Sequence, residues 1–328
     1  MREQIRLFEV IKDKVCSRQR LADVIEELLG ISSDSAYRRI RGETELTFSE
    51  LKKICEKFNL SLDEILNYKS NQGALFHYDP VDIMDADVYL NRAKRMLNVL
   101  NRLKSASDKE IIYTVRSIPL YHLTLYPDLA FFNLFAWIKV LDNANKSISY
   151  EDFCNNLDKE RIISVYQQIH NAHILIPTKE IWTVQTVSVT LRLFEYFYST
   201  GGFDKKETIL CLLNQLTQLM NTVHQYADDG HKGGNQKTPF SMYNCSIDLY
   251  HNCMLARKED QLSMMLRLQM VNFIETDSET LCNTMLKWQR GLISKSTPIS
   301  GESSAIHRFR FFEWAKVKIE MFAKKVKK

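Results

Sequence analysis

The chain has 328 residues, 45% of them hydrophobic and 26% charged, with a formal net charge of +4. Those values suit a globular protein of about two domains and exclude one that coats nucleic acid through bulk charge. No apolar run reaches the ~18 residues that a membrane span needs, and seven dispersed cysteines without a C-x-x-C read as reduced, buried thiols in a cytoplasmic protein.

In chain order, apolar residues at Ile5, Leu7, Phe8, Ile11 and Val15 follow a helical period. A second helix is expected over 20–29, with Leu21, Val24, Ile25, Leu28 and Leu29 on one side. Gly30 follows it and suits the left-handed turn at a helix C-terminus. Ser32 is a good N-cap for a third helix from Ser33 to about Arg41, which Gly42 ends. In "LTFSELKKICEKFNL", Thr47 and Glu50 have the spacing of a capping box ahead of a fourth helix. "SLDEILN" predicts a short fifth, capped by Ser61.

The turn "LLGIS" at 28–32, the twelve-residue step from Gly30 to Gly42 and "LKKICEKFNLSLDEIL" at 51–66 carry a resemblance. Residues 5–67 resemble the Cro and phage-repressor (XRE-like) type of helix-turn-helix domain. Two positions depart from that family's pattern: Glu26 stands where a small residue is favoured, and Ala36 and Ile40 are spaced by four rather than three. The resemblance implies that the third helix lies in the major groove of double-stranded DNA, read as a dimer on two half-sites. Ala36 and Ile40 face the core at i and i+4, which turns Ser33, Asp34, Tyr37, Arg38 and Arg41 outward, with Ser32 at the helix start. Arg suits a guanine edge, and Ser and Tyr hydroxyls suit phosphates or bases. Residues 1–69 carry 13 basic and 13 acidic side chains, so the head has no bulk attraction for DNA. That balance also fits an alternative, a protein–protein interaction module whose head no longer binds DNA.

A polar linker is expected at 70–84, with "ALFHYDP" as a short strand, then a larger domain over 85–328. Long amphipathic or apolar helices are expected within 85–107, 127–141, 149–174, 179–200 and 204–229, the last with Asp204 as its cap, and two more close the chain at 278–294 and 302–325. "EIIYTVR" (110–116) reads as a strand. "CSIDL", "CMLAR" and "QLSMML" read as a small antiparallel meander over about 241–266, with 110–116 placed to join its edge. The fold class expected is therefore mainly α, a five-helix head plus a larger helical domain carrying a small meander.

With the head, "TVRSIPLYHLTLYPDLAFFNLFAW" and "ISKSTPISGES" followed by "RFRFFEW" are similar to predicted transcription regulators of Bacteroidetes. That likeness brings no ligand and no chemistry.

Other constellations are weaker. His224, Asp228, Asp229 and His231 stand at a helix end running into a glycine loop, where such residues are common as caps, and no metal site is assigned. "GHKGGNQKT" lacks the order of a phosphate-binding loop. His122, in aromatic surroundings, reads as a packed histidine. No nucleophile–base pair has a recognisable context, so neither an enzyme nor a cofactor is expected. The tail from 316 carries six lysines against one glutamate, with Val317, Met321 and Phe322 expected to dock on the core. The reading is a cytoplasmic, DNA-binding transcription regulator, its larger domain serving dimerisation or sensing of an unknown effector.

Overall fold

The structure, a computed structural model, describes residues 2–12, 15, 20–58, 60, 73–79, 87–141, 148–269 and 271–328. The chain divides into two compact units, Met1–Leu75 and Phe76–Lys328. Of the linker expected at 70–84, residues 70–72 and 80–84 lie outside the described residues, as does the fifth helix expected at 61–67.

The first unit holds α1 (Arg2–Lys12), α2 (Leu21–Leu29), α3 (Ser33–Ile40) and α4 (Phe48–Phe58). Leu7, Phe8 and Ile11 of α1 meet Ile25, Ala36 and Ile54 in one small core, all under 3% exposed. Each large aliphatic or aromatic side chain so buried contributes roughly 1.5–3 kcal/mol. Gln4 ties α1 to the far end of α3: its Nε2 donates to the carbonyls of Arg39 (2.7 Å) and Thr44 (2.8 Å), and its Oε1 accepts from the Leu46 amide (3.0 Å).

The second unit runs α5 (Val88–Lys104), β1 (Lys109–Val115), α6 (Leu120–Leu123), α7 (Pro127–Leu141), α8 (Tyr150–Asn155), α9 (Lys159–His173), β2 (Thr178–Trp182), α10 (Val184–Ser199), α11 (Lys206–Asp229), β3 (His231–Lys232), β4 (Thr238–Asn244), β5 (Cys253–Lys258), β6 (Gln261–Arg267), β7 (Phe273–Thr276), α12 (Glu279–Ser294), β8 (Thr297–Pro298) and α13 (Ala305–Lys327). Among the described residues its strands form one eight-stranded sheet in the order β3-β4-β2-β1-β5-β6-β7, with β8 on β4. β1, β2 and β4 are mutually parallel; the remaining pairs are antiparallel.

This sheet corrects the expected fold class. A small antiparallel meander at 241–266 is replaced by a large mixed sheet whose parallel centre is built from strands far apart in sequence. "CSIDL" forms no strand; the antiparallel part is β5, β6 and β7. β2 escapes detection for a physical reason: it runs through Thr183 directly into α10, so the two merge into one helical-looking segment. β4, "TPFSMYN", alternates in burial, but its buried positions include Thr238 and its exposed one is Pro239, so the sequence carries little apolar alternation. Among the described residues of "ALFHYDP", His77 makes the β-bridge, exchanging backbone hydrogen bonds with Glu275.

Most helices pack on this sheet through one large core, while α12 packs on it through two smaller clusters around Leu292 and Cys282. α7 is buried at nine positions, including Phe131, Phe132, Phe135 and Trp137. Asp204 does not cap α11; Lys205 holds that position, and Asp204 accepts from the Ser149 hydroxyl at 2.7 Å. Gly230 ends α11 in the left-handed region, φ 69°. The tail helix docks otherwise than expected. Phe311, Ala315, Ile319, Phe322 and Val326 form the buried stripe at helical spacing, while Val317 and Met321 lie on the opposite side, exposed. Of the cysteines described, Cys154, Cys245, Cys253 and Cys282 are buried thiols, Cys55 is half-buried and Cys211 is exposed. No helix among the described residues is long and apolar enough to cross a membrane.

Candidate functional site

Local sequence sets α3 in place. Gly30 takes φ 67°, its N–H closing on the Glu26 carbonyl at 2.9 Å, so the chain reverses in one residue. Ser32 then leaves the turn in extended backbone, and its Oγ accepts from the Ser35 amide. At the other end Gly42 takes φ 77°. The capping box after it is complete: Glu50 Oε2 accepts from the Thr47 amide at 2.8 Å, and Thr47 Oγ1 from the Glu50 amide at 3.3 Å.

Ala36 is fully buried and Ile40 packs against the head core, which fixes the rotation of α3. Ser32, Ser33, Asp34, Tyr37, Arg38 and Arg41 are all exposed. By helical geometry Asp34, Tyr37, Arg38 and Arg41 share one face. The three arginines have different surroundings. Arg39 is half-buried, donating to Glu50 at 2.9 Å and to the Ser35 carbonyl at 3.3 Å. Arg41 pairs with Glu43 at 3.0 Å, both side chains about half exposed, a contact worth about 0–1 kcal/mol that a phosphate can replace. The Arg38 side chain has no hydrogen-bond or ion-pair partner among the described residues. The face thus offers one free guanidinium, one weakly held guanidinium, a phenol and the open N-terminus of a helix, whose amides favour anions.

The larger unit contains a second polar constellation, far from any surface role. Glu180 of β2 is fully buried. Its carboxylate meets His122 Nε2 at 3.0 Å and accepts from Tyr121 Oη at 3.1 Å and Trp182 Nε1 at 2.7 Å. Burial pushes the Glu180 pKa up, but His122, Lys232 and the indole N–H outweigh it and hold the carboxyl below its usual range. Lys232 of β3, 1% exposed, reaches His173 Nε2 at 2.7 Å and Thr178 Oγ1. Burial brings its pKa down to about 7, against an opposing pull from Glu180. Burial, then Lys232, His122 and His170, keep His173 neutral, so its Nε2 accepts from the lysine. The space beside Tyr121, His122 and His173 has no room for a water. These groups satisfy one another and hold α6, α9, β2 and β3 in register.

Residues 5–146 match the family model described as BetR domain. The match is compatible with a regulator bearing a helix-turn-helix-like, DNA-binding head. No curated protein and no solved structure matches the chain. The BetR-matching segment begins in α1 and continues past α7, so it takes in every exposed residue of the α3 face.

The remaining residues singled out by sequence have separate partners. His224 stacks on Phe312 at 4.4 Å, Asp228 pairs with Arg308, and Asp229 accepts from Gln225 at 2.9 Å. His231 stands in β3, half-buried. His122 is packed inside, as its aromatic neighbours imply, and is also bonded to Glu180. Sequence reasoning missed Glu180 and Lys232. Their signal was faint: a Glu directly before the apolar pair Ile181–Trp182 and a Lys in a glycine loop. Neither has a local spacing that names its partner.

Proposed function

We propose that the chain is a sequence-specific, cytoplasmic DNA-binding transcription regulator in which α3 enters the major groove and the larger unit serves dimerisation or sensing. The observation that carries this is the sorting of the α3 arginines. Glu50 takes Arg39 into the head, while Arg38, Tyr37 and Asp34 stand exposed on one face with Arg41 at its edge. Arg38 is the base-reading guanidinium, bidentate to guanine; Arg41 exchanges Glu43 for a phosphate. Ser32 and Ser33 meet the backbone at the helix start, and Asp34 bars unsuited bases by repulsion.

A head with equal numbers of acidic and basic side chains binds weakly alone. Two heads joined in one homodimer raise the effective concentration of the second half-site, which reconciles specific binding with the charge balance. The test is selection of sites from random double-stranded DNA with the full chain, followed by light scattering. A two-fold symmetric consensus and a dimer mass support the reading; no enriched sequence, or a monomer, speaks against it.

A further inference from the structure

A pocket of about 70 Å³ lies inside the larger unit, between α5, β1, the α6–α7 segment and the β5–β7 strands. Its walls are apolar and aromatic: Met96, Tyr113, Leu134 and Phe273 are among them. Two arginines, Arg92 and Arg267, also line it. An arginine in such surroundings ordinarily has a carboxylate, because an unpaired charge away from water is costly. The neighbouring half-buried Arg95 follows that rule, paired with Asp79 and Glu275 and lying over the Phe273 ring at 4.8 Å. So does Arg308, with Asp228.

Arg92 and Arg267 do not follow it. The Arg267 side chain donates to the Ser117 hydroxyl and has no carboxylate within ion-pair reach among the described residues. Arg92 donates one Nη to the Asp79 carbonyl at 2.9 Å, and its other Nη is buried without any partner. Two guanidinium groups without an ion pair therefore line one apolar pocket: among the described residues Arg267 has no carboxylate acting on it, and Arg92 feels only that of Asp79, which is paired with Arg95. Small-molecule sites are commonly built with hydrophobic walls and a small number of polar or charged groups.

We infer that this pocket binds a small monocarboxylate with a short apolar body, its carboxylate received by Arg92 and Arg267 and its body lying against Met96, Tyr113, Leu134 and Phe273. The planar guanidinium fork matches a carboxylate with two parallel hydrogen bonds. The apolar walls reject the free inorganic anions that the same arginines attract at a surface. An amine of the same shape is excluded by like charge, and an alcohol lacks the anion. Binding here is independent of whether the head binds DNA.

The experiment is calorimetric titration of the full chain with butanoate, hexanoate, hexanol and hexylamine. Hexanoate binds saturably and roughly tenfold more tightly than butanoate, because it buries two more methylenes. Hexanol binds about tenfold more weakly or worse, and hexylamine does not bind. Arg267→Gln and Arg92→Gln each weaken hexanoate by about tenfold or more. Should either variant fail to fold, Arg92→Lys keeps the charge and loses the fork, and it also weakens hexanoate. No saturable binding of hexanoate, equal binding of hexanol, or variants that bind hexanoate like the parent overturn the assignment.

Discussion

Arg39 and Glu50 lock the end of α3 to the start of α4, with Nη2 and Oε1 2.9 Å apart and both side chains about 15% exposed. The same Glu50 accepts from the Thr47 amide, so one carboxylate closes the capping box and anchors α3. Arg39 is therefore a fold residue in the middle of a stretch whose other arginines face outward.

Arg39→Ala is expected to lower head stability by about 1.5–3 kcal/mol, the range for a hydrogen bond to a charged group. Arg38→Ala is expected to leave stability within about 0.5 kcal/mol of the parent, as for an exposed side chain without partners. Urea unfolding followed by far-UV circular dichroism separates the two. The pH dependence has a definite sign. Burial raises the Glu50 pKa, but the Thr47 amide and Arg39 together bring it below 4.5. The folded head then holds this proton less tightly than the unfolded chain, so the stabilisation is present above the ordinary glutamate range and is lost as pH falls through the folded value. Glu50→Gln removes that acid-side loss; equal acid sensitivity in parent and variant counts against the lock.

Gly30→Ala tests the turn. No atom lies within 4 Å of where its Cβ would stand, so the cost is backbone strain alone at φ 67°. The expected loss is about 1 kcal/mol, read as a shift in the urea midpoint, and Gly30→Asn is expected to lose less. A Gly30→Ala head as stable as the parent contradicts the turn described.

The head was largely legible in sequence because its signals are local. Gly30, Ser32 and the Thr47/Glu50 pair each act within four residues, and each sits in the expected conformation. The larger unit was legible only in its helices and in β1, β5 and β6. Its sheet centre joins Ile111 to Thr178 and Thr178 to Phe240, pairings that no window of neighbouring residues contains. The three arginines of α3 could not be told apart either. Arg39 is distinguished from Arg38 by Glu50, eleven residues on, and only the packing of α4 brings that carboxylate to it.

Lys232 gives the larger unit a pH signature. An unfolded lysine titrates near 10.5; burial, opposed by Glu180, brings this one to about 7. Between those values the unfolded chain binds the proton more tightly, so unfolding takes up a proton and stability rises with pH. Below about 7 both states are charged, and above 10.5 neither is. The expected contribution is a rise between pH 7 and 9 of at most about 1.4 kcal/mol per unit, absent in Lys232→Met. Denaturant melts of full-length protein at three pH values measure it; an unchanged slope in the variant contradicts the buried, weakly basic lysine.

DNA recognition by the exposed face of α3 is tested most directly by a gel-shift series on the selected site at fixed salt. Parent, Arg38→Ala and Arg41→Ala are compared on the consensus and on single-base variants. Arg38→Ala is expected to weaken consensus binding by about 1–3 kcal/mol and to relax preference at one base position. Arg41→Ala is expected to weaken all sequences alike and to make the salt dependence shallower. Arg38 and Arg41 variants that bind every sequence as tightly as the parent would contradict the account.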